Sequence, residues 1–194
     1  MKSNEEKLKD RDQAISDARW ILMNPYFIVD TETTGLNNAQ MCQIAIVKSD
    51  GTQYKSLIKP TVPIEKGATE VHHISDEDVK DAPTVMEIMR YIPIFGIFVA
   101  YNANFDWKII EQSLKAHGHI FSHNVTIYDA MTIYSAFKGE WDEYHGNYKW
   151  HKLIDACGQC GIEGDDSFHD ALYDAAMTDK LLKYISVQKI STEI

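Results

Sequence analysis

The sequence of 194 residues has only three cysteines and no apolar run long enough to cross a bilayer. An odd number of cysteines without a regular framework argues against a disulfide scaffold and favours a reducing compartment. The apolar run at 91–100 is short and interrupted by Pro93 and Gly96, and the charged N-terminus lacks the apolar centre of a signal peptide. We therefore expect a cytoplasmic protein with no membrane partner.

Positive charge is also scarce, because 19 lysines and arginines stand against 29 acidic residues and the formal net charge is −10. This balance argues against a broad nucleic-acid-binding surface, since phosphate affinity usually comes from lysine and arginine. A nucleic-acid substrate would have to be held locally, and a carboxylate cluster loaded with divalent metal can supply such a local positive field. The length and the 44% hydrophobic content suit one globular domain.

The central stretch is YFIVDTETTGL, at residues 26–36. Four apolar residues lead into Asp30 and Glu32, and turn-forming residues follow from Gly35, which predicts a buried strand that ends in a loop at the acids. Side chains alternate along a strand, so the two carboxylates leave the same face. Two carboxylates this close repel each other without a cation, and Mg²⁺ or Mn²⁺ is the usual occupant of an all-oxygen site.

The N-terminal segment predicts a helix, because residues 3–23 contain neither Pro nor Gly and carry one apolar stripe. The stripe consists of Leu8, Ile15, Ala18 and Leu22. We expect residues 1–24 to form a helical extension that packs on the edge of the domain, with docking of a partner as the alternative.

Apolar runs and turn signals predict the other elements. Runs at 41–47 and 53–58 flank a Ser-Asp-Gly turn signal and predict an antiparallel hairpin beside the first strand. Two further strands are predicted at 97–101 and 125–128, and helices at 84–92, 105–117, 129–137, 150–161 and in the C-terminal segment. Residues 60–75 are expected to be a long loop that either is functional or holds local turns. Residues 138–148 are expected to be a surface excursion, either a plain insertion or a flap on the substrate side.

Two pairs of metal-binding residue types have a structural interpretation. Cys157 and Cys160 form a C-x-x-C pair, but a zinc site would need two further ligands at a suitable spacing, so we expect cysteines of a helical core. His72 and His73 are adjacent and point in different directions, so joint metal binding is not expected and both should have structural or surface roles.

The predicted positions of three other residues make them candidates for the same site. Asp106 is predicted in the first turn of a helix that follows a strand, where the helix dipole favours a carboxylate even without function. His169 and Asp174 are five residues apart, and on one helix their directions would differ by about 140°. They can share a site only if His169 stands before the last helix begins.

Three segments together resemble the sequence blocks of a known enzyme family. FIVDTETTGL at 27–36, YNANFD at 101–106 and HDALYDA at 169–175 are similar to the three blocks of the DEDDh exonucleases, the proofreading-type (DnaQ-like) 3′-to-5′ exonucleases. The resemblance covers about residues 25–187 with the blocks in order. Residues 25–194 are accordingly identified as an exonuclease domain.

The resemblance implies an α/β, RNase H-like fold in which helices flank a mixed five-stranded sheet with one antiparallel hairpin pair. It also implies two divalent cations, Mg²⁺ or Mn²⁺, that activate the attacking water and stabilise the leaving 3′ oxygen. His169 matches the general base of the family, a role that suits an imidazole near neutral pH. The implied metal ligands are Asp30, Glu32, Asp106 and Asp174.

The implied substrate is a single-stranded or frayed 3′ end of DNA or RNA, from which nucleoside 5′-monophosphates are released. A polymerase or a second copy of the chain is a further candidate partner. Threonines and a glycine would approach the terminal sugar, a leucine would wedge against the last base, and an asparagine and a phenylalanine would shape the pocket. These residues are Thr33, Thr34, Gly35, Leu36, Asn102 and Phe105.

Three features depart from the family pattern. Tyr101 stands where histidine is common, and Asp170 adds a negative charge that we expect to raise the proton affinity of His169 and to repel phosphate. The acidic residues Glu163, Asp165 and Asp166 are expected to add to both effects.

Two alternatives belong to other classes. One is a non-catalytic nucleic-acid or polymerase-associated module with the same fold. The other is a histidine-aspartate phosphohydrolase, suggested by His169-Asp170, which would require an all-helical chain with more metal-binding histidines. The choice between DNA and RNA stays open, because it depends on contacts to a single hydroxyl.

Overall fold

The computed structural model describes residues 2–120, 122–164 and 170–191. Its centre is a mixed sheet of strands β1 (Tyr26–Thr33), β2 (Met41–Lys48), β3 (Gln53–Leu57), β4 (Phe95–Ala100) and β5 (Asn124–Asp129). The strand order is β3-β2-β1-β4-β5. β2 runs antiparallel to β1 and β3, whereas β4 runs parallel to β1 and β5 runs parallel to β4. The expected α/β fold with a mixed five-stranded sheet is confirmed.

Strand β1 lies in the middle because its two faces are both apolar. Ile28 is buried in the core on one side of the sheet and Val29 in the core on the other. Both acids lie at the end of the strand, as predicted, and the strand continues one residue past Glu32, to Thr33. The reason is the backbone ladder with β2, which extends to the pair Thr33 and Met41 after an irregularity at Glu32.

Helices cover both faces of the sheet. The core on the Ile28 side contains side chains of α1 (Asn4–Leu22), α6 (Ala130–Lys138), α7 (Leu153–Gln159) and α8 (Ala171–Ser186). The core on the Val29 side contains side chains of α4 (Val85–Ile88), which continues as a 3₁₀ turn at Met89–Tyr91, and α5 (Ala103–Ala116). This layered arrangement rules out the all-helical fold that a histidine-aspartate phosphohydrolase would require.

Helix α1 forms where it was predicted and packs against the domain. Ile15, Ala18 and Ile21 are fully buried in the same core as α6 and α8, whereas Leu8 is exposed, so the apolar stripe is rotated relative to the prediction. The side chain of Arg19 donates hydrogen bonds to the backbone carbonyls of Ser186, the last residue of α8, and of Gln188. The division into an extension at 1–24 and a domain from 25 onward stays a proposal.

The predicted loop at 60–75 contains the helix α2 (Lys66–His72) and leads into α3 (Asp76–Val79). His72 is buried, with Nε2 3.1 Å from the carbonyl oxygen of Thr33 and Nδ1 accepting a hydrogen bond from the amide of Ile74. His73 is exposed and ends α2 in a left-handed conformation. His72 therefore has a structural role and His73 lies at the surface, in agreement with the prediction of structural or surface roles.

The surface excursion at 138–148 contains a small hairpin of β6 (Trp141–Asp142) and β7 (Asn147–Tyr148). Cys157 is buried in α7, Cys160 is partly buried at its end, and both are free thiols, in agreement with the prediction of core cysteines. Among the described segments, no helix is both long and apolar enough to cross a membrane.

Candidate active site

Three carboxylates meet between β1 and α8. One oxygen of each of Asp30, Glu32 and Asp174 lies within 4.8 Å of the other two. The alternation of β1 explains two of them, because residues 30 and 32 point to the same side as Ile28, and that side packs against α8. Asp174 comes from the first turn of α8. The structure thus brings together acids from two distant segments of the chain.

The beginning of α8 is attached to the hairpin of β2 and β3, and this attachment directs Asp174 towards β1. The amide of Ala171 donates to the side-chain oxygen of Gln43 on β2 (3.2 Å), and the next two amides donate to Oδ1 of Asp170 (3.1 and 3.3 Å). Lys55 on β3 forms an ion pair with the other oxygen of Asp170. The first turn of the helix therefore has its amides satisfied by fixed partners.

The charge of Asp170 is partly compensated by these contacts. Burial opposes its ionisation, but the hydrogen bonds from Lys55 and from the amides of α8 outweigh burial and lower the pKa of Asp170 below its ordinary value. Asp170 nevertheless contributes to the raised pKa values of Asp30 and Glu32. Its repulsion of phosphate stays a prediction. Its effect on His169 stays a prediction, since His169 lies outside the described residues.

Asp106 approaches β1 from the other side of the sheet. Its Oδ1 accepts hydrogen bonds from the amide (3.1 Å) and the hydroxyl (2.8 Å) of Thr31, and the residue is only 3% exposed. Thr31 points to this side because it alternates with the two acids of β1. Asp106 therefore lies next to the three-acid cluster and not within it, although its charge raises the pKa of Asp30. A role of Asp106 as a metal ligand stays a prediction.

Burial and mutual repulsion oppose ionisation of these acids. Burial, followed by the charges of Asp174 and Asp106, raises the pKa of Glu32 to about 8. Burial and then Asp106 and Asp174 raise the pKa of Asp30 well above its usual range. Burial raises the pKa of Asp106 to about 7 against the opposing hydrogen bonds from Thr31. A divalent cation would compensate this repulsion, and an all-oxygen donor set fits Mg²⁺ or Mn²⁺.

A cavity of about 440 Å³ opens beside Glu32. It lies between the end of β1, the loop that follows, α2 and the start of α5. Its wall includes Thr31, Glu32, Thr33, Gly35, Leu36 and Phe105. Leu36 is 79% exposed, so an apolar side chain is available to contact a base. Four of the six predicted substrate-binding residues thus surround one cavity.

The two threonines after Glu32 shape the loop. The hydroxyl of Thr33 donates to the carbonyl of Gly35 (2.7 Å), and that of Thr34 accepts from the amide of Gln40 (3.1 Å). Thr34 is buried beneath the loop, whereas Thr33 also contributes to the cavity wall. Gly35 has φ +155°, and a Cβ there would lie 2.6 Å from Oε1 of Glu65. A glycine suits this position because φ +155° is a backbone conformation that other residues rarely adopt, and an added Cβ would also displace the end of the flexible Glu65 side chain.

Asn102 is not among the residues that line this cavity, and its role at the substrate stays a prediction. It is exposed in the left-handed region (φ 77°) just before α5, and its amide donates to Oδ1 of Asp129 (3.1 Å). Its contribution is therefore to the start of α5, whereas Phe105 one turn later lines the cavity. Tyr101 donates its hydroxyl to the carbonyl of His151 (2.8 Å).

Sequence reasoning missed four residues that support the site, namely Thr31, Gln43, Lys55 and Glu65. Gln43 carried a signal, because it is the one polar residue in the run MCQIAIV, and a buried amide in a central strand needs a partner. The other three are ordinary surface-type residues whose partners come from distant segments.

Comparisons with known proteins agree with this arrangement. The exonuclease family RNase_T matches residues 27–182. The exonuclease CP81 of Escherichia phage 186 is 37% identical over 170 residues, which are 82% of this chain and 87% of that protein. A DNA polymerase III subunit epsilon-like protein of Rhodobacter capsulatus is 30% identical over 168 residues, which are 79% of this chain but 22% of that protein.

Solved structures share the fold. In a complex of E. coli ExoI with single-stranded DNA, the similarity covers 83% of this chain and 40% of that one, with a TM-score of 0.67 and 18% identity. For Exonuclease X in complex with 5′-overhanging duplex DNA, it covers 85% of this chain and 95% of that one, with a TM-score of 0.62 and 23% identity. Because the family model matches residues 27–182, which are most of this chain, the chain belongs to the RNase_T exonuclease family.

Proposed function

We propose that the protein is a metal-dependent 3′-to-5′ exonuclease of the DEDDh type, which hydrolyses phosphodiester bonds at the 3′ end of DNA or RNA and releases nucleoside 5′-monophosphates. The observation that carries the proposal is the cluster of Asp30, Glu32 and Asp174 beside a cavity of about 440 Å³. This volume is within the range of about 300–1,000 Å³ that holds small ligands, and therefore suits a single terminal nucleotide.

Each group has a separate role in this proposal. Asp30, Glu32 and Asp174 hold divalent cations, with Asp106 as the fourth acid. Two such cations, Mg²⁺ or Mn²⁺, supply charge stabilisation for both the attacking and the leaving oxygen of an in-line displacement. The loop after β1 and Phe105 orient the terminal nucleotide.

The general base of the proposal is His169, which lies outside the described residues. Its place in the sequence supports the role, because it directly precedes Asp170, the N-cap of α8, and is thus not held at the helical spacing from Asp174. An imidazole with a pKa of about 6.5 can accept the proton of the attacking water near neutral pH.

Single-stranded or frayed DNA is the first substrate to test. One similar structure contains single-stranded DNA, and one relative is named for a subunit of DNA polymerase III. A polymerase is therefore the first partner to test, followed by a second copy of the chain. Free cysteines support a cytoplasmic place of action.

The test is a pair of labelled single-stranded oligonucleotides incubated with Mg²⁺ or Mn²⁺. The 3′-labelled copy should release labelled mononucleotide in the first turnover, and the 5′-labelled copy should shorten one nucleotide at a time. Asp30→Ala should slow release at least about 100-fold, the order of effect expected when a group that stabilises transition-state charge is removed. Asp81→Ala, at an exposed aspartate away from the cluster, is the matched control.

The outcomes separate the alternatives. Early release of the 5′ label would reject the direction, and products that carry a 3′-phosphate would reject the proposed chemistry. Binding of the oligonucleotide without metal-dependent turnover would instead identify a non-catalytic module. The same assay on matched DNA and RNA, single- and double-stranded, measures the sugar and strand preference.

A further inference from the structure

A second cavity, of about 540 Å³, also borders the acid cluster. Asp174 belongs to its wall, whereas Glu32 belongs to the wall of the first cavity. Because carboxylate oxygens of these two residues lie within 4.8 Å of each other, the cluster contributes to the walls of both cavities. A strand with its last nucleotide in the first cavity and its scissile phosphate at the cluster would leave through the second.

The wall of the second cavity contains groups that suit a nucleotide. Trp150 is 69% exposed, which is unusual for a large aromatic side chain, and the apolar side chains of Met131 and Ile154 lie nearby. Lys152 adds a cationic side chain to the same wall. An exposed indole next to an ammonium group offers a stacking surface for a base and a partner for a phosphate.

The segment that carries Trp150 is fixed by its neighbours on both sides. The amide of Lys149 donates to the carbonyl of Glu140 (2.8 Å), and the carbonyl of His151 accepts from the hydroxyl of Tyr101 (2.8 Å). The ring of His151 packs edge-on against Tyr134, with centroids 5.5 Å apart. Trp150 thus projects from an ordered backbone, which lowers the entropy cost of stacking on it.

The negative net charge of the chain makes local contacts, such as those in this cavity, more important for affinity to a strand. With a formal net charge of −10, the protein lacks the excess of cations that would hold a phosphate backbone over a broad surface. Affinity for a strand must therefore come from a few local contacts. Base stacking is suitable, because every base has an aromatic face and the contact tolerates any sequence.

We infer that this second cavity binds the nucleotide on the 5′ side of the scissile bond, with its base stacked on Trp150 and its phosphate near Lys152. The inference rests on the proposed function, since it requires cleavage at a 3′ end in the first cavity. Trp150 then determines affinity for a strand and not the chemistry at the cluster.

The experiment compares a strand with a mononucleotide. In Trp150→Ala, KM for a single-stranded oligonucleotide should rise about 10- to 100-fold, the range expected for the loss of one base-stacking contact, with little change in kcat. The inhibition constant of thymidine 5′-monophosphate, which occupies only the first cavity, should stay within about twofold of wild type. Trp150→Phe should recover most of the affinity, because a smaller ring still stacks.

Two further variants complete the test. Trp20→Ala removes a tryptophan that is 56% exposed on α1 and should leave both constants unchanged. Lys152→Gln should raise KM about threefold and reduce the dependence of KM on salt, because one phosphate contact is lost. Lys152→Gln also tests the cavity if Trp150→Ala fails to fold.

The results that would overturn the inference differ from those that would overturn the proposed function. Suppose that the wild type releases mononucleotides. If Trp150→Ala then has the wild-type KM for the oligonucleotide, or binds the strand and the mononucleotide more weakly by the same factor, the second cavity does not hold the next nucleotide. If the wild type releases no mononucleotide from 3′ ends, the proposed function fails and the inference fails with it.

Discussion

The metal-free protein should lose stability as the pH rises, because Glu32 keeps its proton in the folded state. The pKa of Glu32 is about 8, against an ordinary value of 4.5, and each pH unit of difference corresponds to about 1.4 kcal/mol. Ionising Glu32 above pH 8 would thus cost the folded state up to about 5 kcal/mol. Relaxation of the neighbouring acids and partial exposure to water reduce this free-energy cost, and we expect a loss of stability of about 2–3 kcal/mol.

The sign follows from proton linkage. Since the pKa of Glu32 is raised on folding, its contribution to stability is fully present below about pH 4.5 and is lost as the pH rises through about 8. A loss of 2–3 kcal/mol in a chain of this size lowers Tm by about 4–12 °C. A divalent cation should reverse the loss at pH 8.5, because it binds the ionised acids of the folded state.

The measurement is urea denaturation with EDTA between pH 5 and 9. Glu32→Gln removes the titrating group, so its stability should change less over this range and should exceed that of wild type at pH 8.5. Glu70→Gln, at an exposed glutamate, should follow the wild-type curve. If wild-type stability is constant over this range, or if Glu32→Gln declines as steeply as wild type, the reasoning about repulsion in the cluster is wrong.

Three further predictions concern the supports of the site. Lys55→Met should raise the metal concentration needed for half-maximal activity about three- to tenfold, because α8 loses its attachment to β3. Lys55→Arg should stay near the wild-type value. Titration of activity with Mn²⁺ distinguishes the two variants, with Lys59→Met as the surface control. Gly35→Ala should destabilise the protein by about 1–3 kcal/mol, mainly through backbone strain at φ +155°, because the flexible end of the Glu65 side chain can move aside. The double variant with Glu65→Ala should therefore recover little of this loss in thermal melts, and an unchanged Tm of Gly35→Ala would contradict the reasoning. Thr31→Val should destabilise the protein by about 1–2 kcal/mol, because the buried carboxylate of Asp106 on α5 loses a hydroxyl donor. An unchanged midpoint of urea denaturation would show that this hydrogen bond contributes nothing to stability.

Local signals in the sequence predicted most of the fold. The hairpin of β2 and β3 follows from two apolar runs around a turn, where the side chain of Asp50 accepts from the amide of Thr52 and Gly51 adopts φ +84°. Helix α2 was missed because seven residues are too few for a clear periodicity. It is stabilised by distant contacts, among them the burial of His72 against the carbonyl of Thr33.

By itself, the sequence determined that Asp30 and Glu32 share one side of a buried strand, because alternation is a property of the extended backbone. Only the tertiary structure decided which other acids reach them. Asp174 joins the cluster because residues of β2 and β3 hold the start of α8, and Asp106 meets Thr31 because the opposite side of the same strand faces α5. Such contacts join residues 75 or more positions apart, and no local preference of the chain specifies them.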